Sequence, residues 1–463
     1  MGDGTLGTKI GTMLSRLLPL GDPLIIALGF LLAFKLRYGK EIPLYNWEPF
    51  IAVLPWMCIG TVALFAALGM YERRVYGLSQ LVGLSALGII GVAMLTITVT
   101  FWLREFAFPR SVILIAMPIQ IALICLWRAA IWKLRPLLAG GRQLLIVGTA
   151  HEAGKLVCDL NEKMSGGWFM AKEFITPDQL AKLPGVLARM DAVLVSSSLT
   201  REEKAAVLEV SLDAGKEVFV VPDMYDILLN RGRLISMSDL PVVQVQNMGL
   251  STAQAFVKRS FDLGLAITGL FFSLPLFIIC ASAIKLTSPG PVIYKQKRVG
   301  FWGRNFYLYK FRTMVDKAEE ITGPVLSVDQ DPRVIRVGRF LRASRLDELP
   351  QLINILKGDM SLVGPRPERP FFVHQFADII PDYYRRHIVR PGLTGLAQIY
   401  GKYSTTPEDK LRYDLYYIKN YSLALDFKII LRTLPILIDG NNARGSSPNN
   451  CNWLANGKMP CEK

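Results

Sequence analysis

Two adjacent carboxylates open the stretch "RLDELPQLINILKGDMSLVGPRPE", Arg345 to Glu368, and an arginine between two prolines closes it. On a helix Asp347 and Glu348 would point about 100° apart. They cannot act on one atom from the same direction. One is able to meet a phosphorus atom while the other binds a cation or orients a partner. Pro365 and Pro367 restrict Arg366, whose planar fork suits a phosphate. Upstream, "YKFRTM" supplies Lys310 and Arg312, and "RFLRASRLDE" supplies Arg339, Arg342 and Arg345. Many cations around two carboxylates suit a metal-bridged diphosphate. An isolated acidic pair would merely complement a helix dipole, and a basic membrane face also gathers cations. The combination of acids, arginines and prolines favours phosphate chemistry.

These residues need elements to hold them. Ser344 stands three before Asp347, a Ser-x-x-Asp pattern that predicts a helix capped by Ser344 with Asp347 as its third residue. Leu346, Leu349, Leu352, Ile353 and Leu356 would then share one face, lying on a core or a bilayer.

The whole chain has 463 residues, half of them apolar (51%), and a net charge of +15. Excess base suits nucleic acid, an anionic leaflet or phosphorylated substrates. Long apolar runs and the absence of an aromatic-basic RNA motif or C2H2 spacing exclude nucleic acid as the expected partner. None of the six cysteines forms a CxxC pair, so they read as core or lipid-facing thiols. With only three histidines (His151, His374, His387), a histidine-built metal centre is not expected.

Four runs, approximately Leu18–Leu36, Phe50–Met70, Leu81–Leu103 and Val112–Trp132, match the roughly 20 apolar residues that span hydrocarbon. The first lacks a small-residue cleavage site and reads as an anchor. Lys9, Arg16, Arg73, Arg74, Arg128, Lys133 and Arg135 exceed the basic residues of the alternate loops, so a cytoplasmic N-terminus is expected. After Arg142 the pattern alternates. "RQLLIVG", "DAVLVSSS" and "KEVFVVPD" read as buried strands, and "LTREEKAAVLEVSLDAG" as a helix between the last two. The turn from Gly148 to Gly154 is a degraded dinucleotide fingerprint without G-x-G-x-x-G spacing. A Rossmann-like domain kept for packing or regulation is therefore expected over 142–247.

Phe261–Leu286 is a fifth apolar run with Pro275 near its middle. Lys258 and Arg259 precede it, and Lys285, Lys295, Lys297 and Arg298 follow it. Positive charge at both ends and a mid-run proline favour entry and exit by the same cytoplasmic face. A plain kinked span is the rival. "LDFKIILRTLPILI" reads as an interfacial helix, and the tail 441–463 as disordered.

Several stretches together resemble the polyprenyl-phosphate hexose-1-phosphate transferases, the phosphoglycosyl transferases with a single membrane helix that start bacterial surface polysaccharides. They are "KRSFD", "SPGPVIYKQKRVG", "YKFRTM", "DPRVIRVGRFLRASRLDELPQLINILKGDMSLVGPRPE", "RPGLTGLAQIYGK" and "YDLYYIKNYS", in order over about 258–430. The N-terminal spans and Rossmann-like domain resemble the long members, which include undecaprenyl-phosphate galactose and glucose phosphotransferases. The resemblance implies a membrane α/β protein. Four transmembrane helices would occupy 1–141 and the Rossmann-like cytoplasmic domain 142–247. A mixed α/β catalytic domain would occupy 251–440, with a re-entrant helix over 261–286.

The family's chemistry carries onto matching residues. Asp347 corresponds to the nucleophile that takes hexose phosphate from a UDP-sugar, and Glu348 to the partner acid associated with Mg2+. Both acids are the implied metal ligands. Arg366, Arg342, Lys310 and Arg312 correspond to basic positions around the substrate phosphates. Undecaprenyl phosphate would accept the sugar phosphate at the inner membrane's cytoplasmic face. The family bends its re-entrant helix at Ser-Pro, whereas here Leu274 separates Ser273 from Pro275. A membrane-bound nucleotide-sugar dehydratase is a rival, but "TAHEAG" lacks its glycine spacing and "YYIKN" lacks a Tyr-x-x-x-Lys pair. A non-enzymatic scaffold in polysaccharide export is the other. The resemblance favours UDP-galactose or UDP-glucose, and the large membrane and Rossmann-like surface leaves room for a homodimer.

Overall fold

The computed structural model describes residues 3–71, 78–139, 142–150, 152, 169–237, 240–245, 247–315, 331, 333–401 and 405–438. The tail expected to be disordered, Cys158, Cys451 and Cys461 lie outside these residues. The chain forms two compact units, Met1–Pro222 and Asp223–Lys458.

The first unit begins with helices α1 (Asp3–Tyr38), α2 (Leu44–Ala67), α3 (Leu78–Trp102) and α4 (Arg110–Ala139). Each contains a segment long and apolar enough to cross a membrane. Polar pins fix their register. Asp22 on α1 and Arg128 on α4 form a buried ion pair at 2.5 Å, and Arg128 also donates to the Met70 carbonyl at 2.7 Å. Gln120 Nε2 reaches the Ile26 carbonyl at 3.0 Å. Loss of one partner from a buried pair would leave an uncompensated charge.

The α/β part has strands β1 (Arg142–Val147), β2 (Phe169–Ile175), β3 (Ala192–Val195) and β4 (Glu217–Val220), with helix α5 (Arg201–Asp213) between the last two. They form a parallel sheet in the order β2-β1-β3-β4. Leu144 to Val147 are buried, as a central parallel strand requires. Strand β2 escapes sequence reading because only its ends, Phe169 and Ile175, are buried. A Cβ on Gly148 would lie 2.5 Å from the Ser196 Cβ. Close approach of β3 therefore demands this glycine without any nucleotide. The rest of that turn, on to Gly154, is largely outside the described residues.

The second unit starts with α6 (Met224–Leu229) and the hairpin β5 (Arg233–Met237) and β6 (Leu240–Gln244). The two compact units divide at Pro222 and Asp223, within the stretch expected to be Rossmann-like. Ile227 is buried in a core with Val299, Val363, Leu411, Leu415 and Tyr417, all of the second unit.

Helix α7 (Thr252–Thr287) follows. Ser251 caps it by accepting from Gln254 N at 3.3 Å, while Gln254 Oε1 accepts from Ser251 N at 2.9 Å. Then come β7 (Ile293–Val299) and β8 (Asn305–Phe311), an antiparallel hairpin. Helices α8 (Arg336–Ala343) and α9 (Gln351–Lys357) flank a 3-10 turn at Leu346–Glu348. Strands β9 (Ser361–Val363) and β10 (Gly392–Thr394) pair in parallel, with α10 (Pro370–Ile379) between them. Helices α11 (Pro407–Lys419) and α12 (Leu423–Ile438) close the unit.

The expected cap at Ser344 does not form. Ser344 ends α8, and its hydroxyl donates to the Phe340 carbonyl at 2.8 Å. Arg345 then takes a left-handed conformation, φ 54°, which breaks the helix before the acidic pair. A non-glycine residue in this region costs about 1–2 kcal/mol, which the packed helices on either side must hold in place. Leu352 and Ile355 turn inward against Ala266, Leu308 and Met360.

The boundary yields an expected outcome. A chain beginning at Asp223 should unfold at higher temperature in detergent than one beginning at Ser251. The shorter chain loses Ile227 and leaves a core gap of the kind that costs about 2–5 kcal/mol. Equal thermal midpoints would remove α6 from the second unit's core.

Candidate active site

Asp347 and Glu348 sit on the 3-10 turn with Asp347 buried. A one-residue step there turns by about 120°, so the two carboxylates diverge even more than on an α-helix. Glu348 Oε1 accepts from Lys310 Nζ at 3.0 Å and from Arg366 Nη2 at 3.1 Å. One carboxylate thereby joins β8, the acidic turn and the Pro-Arg-Pro loop. Arg366 retains 39% side-chain exposure while its Nη2 is held on Glu348.

Asn354 fixes the distance between these elements. This fully buried side chain accepts from Tyr309 N at 3.0 Å and donates to the Tyr307 carbonyl at 2.7 Å. It thus anchors α9 to β8 next to Lys310. Gly358 ends α9 in a left-handed conformation, φ 91°.

Consecutive residues of the arginine loop are clamped through their backbones. Gly392 N donates to the Pro365 carbonyl at 2.9 Å, Arg386 Nη2 to that of Arg366 at 3.0 Å, and Arg298 Nη1 to that of Pro367 at 2.9 Å. Val299 N closes the series on the Glu368 carbonyl at 3.0 Å. Arg386 is itself paired with buried Asp414 at 2.7 Å. A Cβ on Gly364 would lie 2.4 Å from the Arg390 carbonyl oxygen, so the backbones meet without room for a side chain.

The electrostatics separate the two acids. Burial pushes the Asp347 carboxyl above its ordinary range, against the pull of Lys310, Arg342 and Arg366. Burial also opposes ionisation of Glu348, but Lys310 and Arg366 overcome it and hold this group well below the usual glutamate range. Glu348 in turn raises the Arg366 guanidinium pKa. The pair therefore contains one acid that the cations hold ionised and one whose ionisation burial opposes.

The expected basic residues do not all converge. Lys310 and Arg366 meet on Glu348. Arg342 acts on Asp347 electrostatically and directs its Nε to Thr313 Oγ1 at 2.8 Å. Arg312 is committed elsewhere: its fork donates to the Pro289 and Ser288 carbonyls at 2.6 and 2.8 Å, at the end of α7. Residues 310 and 312 would share a face of an unbroken strand, but β8 ends at Phe311, so Arg312 is released from that face and turns to the end of α7. Ser273 and Pro275 lie within α7, remote in sequence from the acids. Sequence reasoning used Arg298 only as a flanking charge and did not single out Arg386 and Asp414. The basic runs "KQKRVG" and "YYRRHIVRPG" carry the two arginines, but nothing local reveals that they hold carbonyls of another loop or that Asp414 pairs with one of them.

The family described as bacterial sugar transferase matches residues 253–440. A protein of Aeromonas hydrophila named UDP-N-acetylgalactosamine-undecaprenyl-phosphate N-acetylgalactosaminephosphotransferase is 47% identical over 197 residues, 42% of this chain and 46% of that one. Two relatives are named UDP-glucose:undecaprenyl-phosphate glucose-1-phosphate transferase. The one from Escherichia coli (strain K12) is 40% identical over 228 residues, 48% of this chain and 49% of its own. The one from Caulobacter vibrioides is 45% identical over 195 residues, 40% of this chain and 71% of its own. The chain spans about half the length of the Aeromonas and Escherichia relatives.

The charge balance gives two expected outcomes. Asp347 has a folded pKa above its unfolded one, so its contribution to stability is full below the unfolded pKa and is lost as pH rises through the folded pKa. Asp347→Asn should therefore raise the thermal midpoint at pH 7, as read by scanning calorimetry. An unchanged or lower midpoint would contradict the burial argument. Any reaction that needs ionised Asp347 should have its acid limb above the ordinary aspartate value of about 3.9. Arg342→Gln should move that limb further up, which a pH–rate profile measures.

Proposed function

The chain belongs to the bacterial sugar transferase family, and from that premise we propose that it transfers hexose 1-phosphate from a UDP-sugar to undecaprenyl phosphate and releases UMP. The observation that carries this reading is Glu348 held between Lys310 and Arg366, at 3.0 and 3.1 Å, next in sequence to buried Asp347. Asp347 is the proposed nucleophile. Its carboxylate oxygen bonds to the β-phosphorus, the bond from that phosphorus to the bridging oxygen breaks, and UMP leaves with the electron pair. A phosphate oxygen of undecaprenyl phosphate then attacks the aspartyl phosphosugar. Asp347 returns as a carboxylate, and the lipid carries a diphosphate-linked sugar. Two steps replace one encounter between two bulky anions.

Lys310, Arg342 and Arg366 are proposed to stabilise the charge that gathers on the phosphoryl oxygens. The donor set also fits Mg2+. Asp347 and Glu348 offer hard oxygens, and this ion is commonly held by one or two carboxylates plus substrate phosphates. When bound, it would neutralise diphosphate charge. Among the described residues no cluster of three acids, histidines or cysteines stands ready to hold a metal, so the substrate would complete the shell. The donor is proposed to be UDP-glucose or UDP-galactose. The name of the Aeromonas relative favours UDP-N-acetylgalactosamine as a second reading.

The site is proposed to lie at the cytoplasmic face of the inner membrane, with α7 entering and leaving by one leaflet. Both ends of α7 are tied to the same unit, which supports this. Arg259 near its start donates to the Ile355 carbonyl at 2.6 Å, and Arg312 holds the Ser288 carbonyl just beyond its end at 2.8 Å. A helix crossing about 30 Å of hydrocarbon would carry its ends to opposite faces. Between the anchors Phe271, Phe272, Leu274, Ile278 and Ile279 are exposed. Pro275 removes one backbone donor from the middle of α7. The Ser273 hydroxyl donates to the Leu270 carbonyl at 3.3 Å, one residue before the carbonyl that Pro275 frees.

The chemistry is tested by intact-protein mass spectrometry after mixing with Mg2+ and a panel of UDP-sugars, with lipid phosphate withheld. Wild type should gain one hexose phosphate on Asp347, and Asp347→Asn should gain none. Glu348→Gln should lower turnover about a thousandfold. An adduct elsewhere would remove the assigned nucleophile, and UMP release only in the presence of lipid phosphate would favour direct displacement. Cysteines introduced near Lys258 and Lys295 should label from the same side of the membrane, and opposite labelling would overturn the re-entrant path.

A further inference from the structure

The first turns of α7 touch both walls of the site. Arg259 donates to the Ile355 and Leu356 carbonyls at 2.6 and 3.0 Å, on the helix that follows the acidic turn. One turn further on, Asp262 Oδ1 accepts from Leu362 N at 3.1 Å, on the strand that leads into the Pro-Arg-Pro loop. Asp262 is buried, and so is its surrounding network. Lys258 Nζ lies 4.0 Å from Asp262 Oδ1 and 2.6 Å from Asp426 Oδ2 on α12. The Tyr417 hydroxyl is 2.8 Å from Asp426 Oδ1 and 3.2 Å from the Val363 carbonyl. Its single proton goes to the nearer, charged acceptor. Two carboxylates, one ammonium, one phenol and one backbone amide thus meet at the root of the membrane helix. A neutral packing contact would not need so many buried charges, since each costs free energy unless it is paired.

We propose that Asp262 is a positioning residue for Arg366. It holds the amide of Leu362, and the chain then runs through Val363, Gly364 and Pro365 to the arginine. Two residues on, Gly364 N bonds the Thr394 carbonyl at 2.9 Å, so Leu362 and the base of the loop belong to one hydrogen-bonded segment that the Asp262 anchor helps to seat. The root of α7 then serves as the common frame in which the acidic turn and the arginine loop keep their spacing. This inference rests on the reading of Arg366 as a phosphate-binding residue. It adds a route by which the seating of the membrane helix sets the geometry of the phosphate site.

The test uses the full chain in detergent or lipid nanodiscs, with Asp262→Ala and Asp262→Asn. Asparagine keeps an oxygen that can accept from Leu362 N, and alanine does not. Hydrogen exchange of the 361–368 segment should accelerate in the alanine variant and return toward wild type in the asparagine variant. This readout requires no turnover, so it still decides the coupling if the proposed reaction fails. In the UMP-release assay Asp262→Ala should lower kcat/KM about a hundredfold, the size of a small misplacement of a positioned group. In an Arg366→Ala background the same change should cost little more, because both act through one side chain. Unchanged exchange over 361–368 in a folded alanine variant would overturn the proposal. So would losses that multiply fully in the double variant, since Asp262 would then act independently of Arg366.

Discussion

The half-buried Glu348 carboxylate is the constraint on which the second unit depends. An acid taken out of water must be compensated, and here the compensation comes from Lys310 and Arg366 on different elements. That one requirement brings a strand, a 3-10 turn and a proline-bound loop to a common point. The left-handed Arg345 and the two bonds of Asn354 to β8 are local consequences, for without them the acidic turn and Lys310 would not meet. Asp347 shares the same cations without sharing their hydrogen bonds, so its ionisation stays balanced between burial and attraction.

Rigidity around the arginine loop has a different origin. Prolines limit the backbone, yet they also remove donors, so carbonyls must find partners elsewhere. Arg298 and Arg386 supply them. Arginine suits this role because its fork presents several donors in one plane and remains charged when buried. These two side chains hold the loop's backbone, and the Arg366 side chain is left to pair with Glu348. The positive charge of the unit therefore has two uses, one toward a ligand and one toward the protein's own carbonyls.

Helix α7 combines an apolar exterior with polar anchors near both ends. Its exposed phenylalanines and isoleucines require a nonaqueous neighbour, whereas Lys258, Arg259 and Asp262 are directed into the folded unit. In the four N-terminal helices, Asp22 with Arg128 and Gln120 with the Ile26 carbonyl set register among apolar surfaces. Both units thus place buried charges where elements must be aligned.

Much of this was legible in one dimension. Hydropathy runs located the five long apolar helices, because about 20 apolar residues in succession have few other solutions. Strands β1, β3 and β4 were readable from short apolar runs between turn signals, and the Asp-Glu pair and Pro-Arg-Pro loop marked the site by residue type alone. Strand β2 was hidden by its polar exposed positions, and the Ser344 pattern pointed to a cap although Arg345 breaks the helix there. The division of labour among the cations was beyond reach. Lys310 and Arg312 are two residues apart, yet one meets Glu348 and the other clamps the end of α7. Sequence determines which groups are charged and which segments avoid water. Only tertiary structure decides which charges meet, because those partners lie tens of residues apart and are chosen by the packing of the elements that carry them.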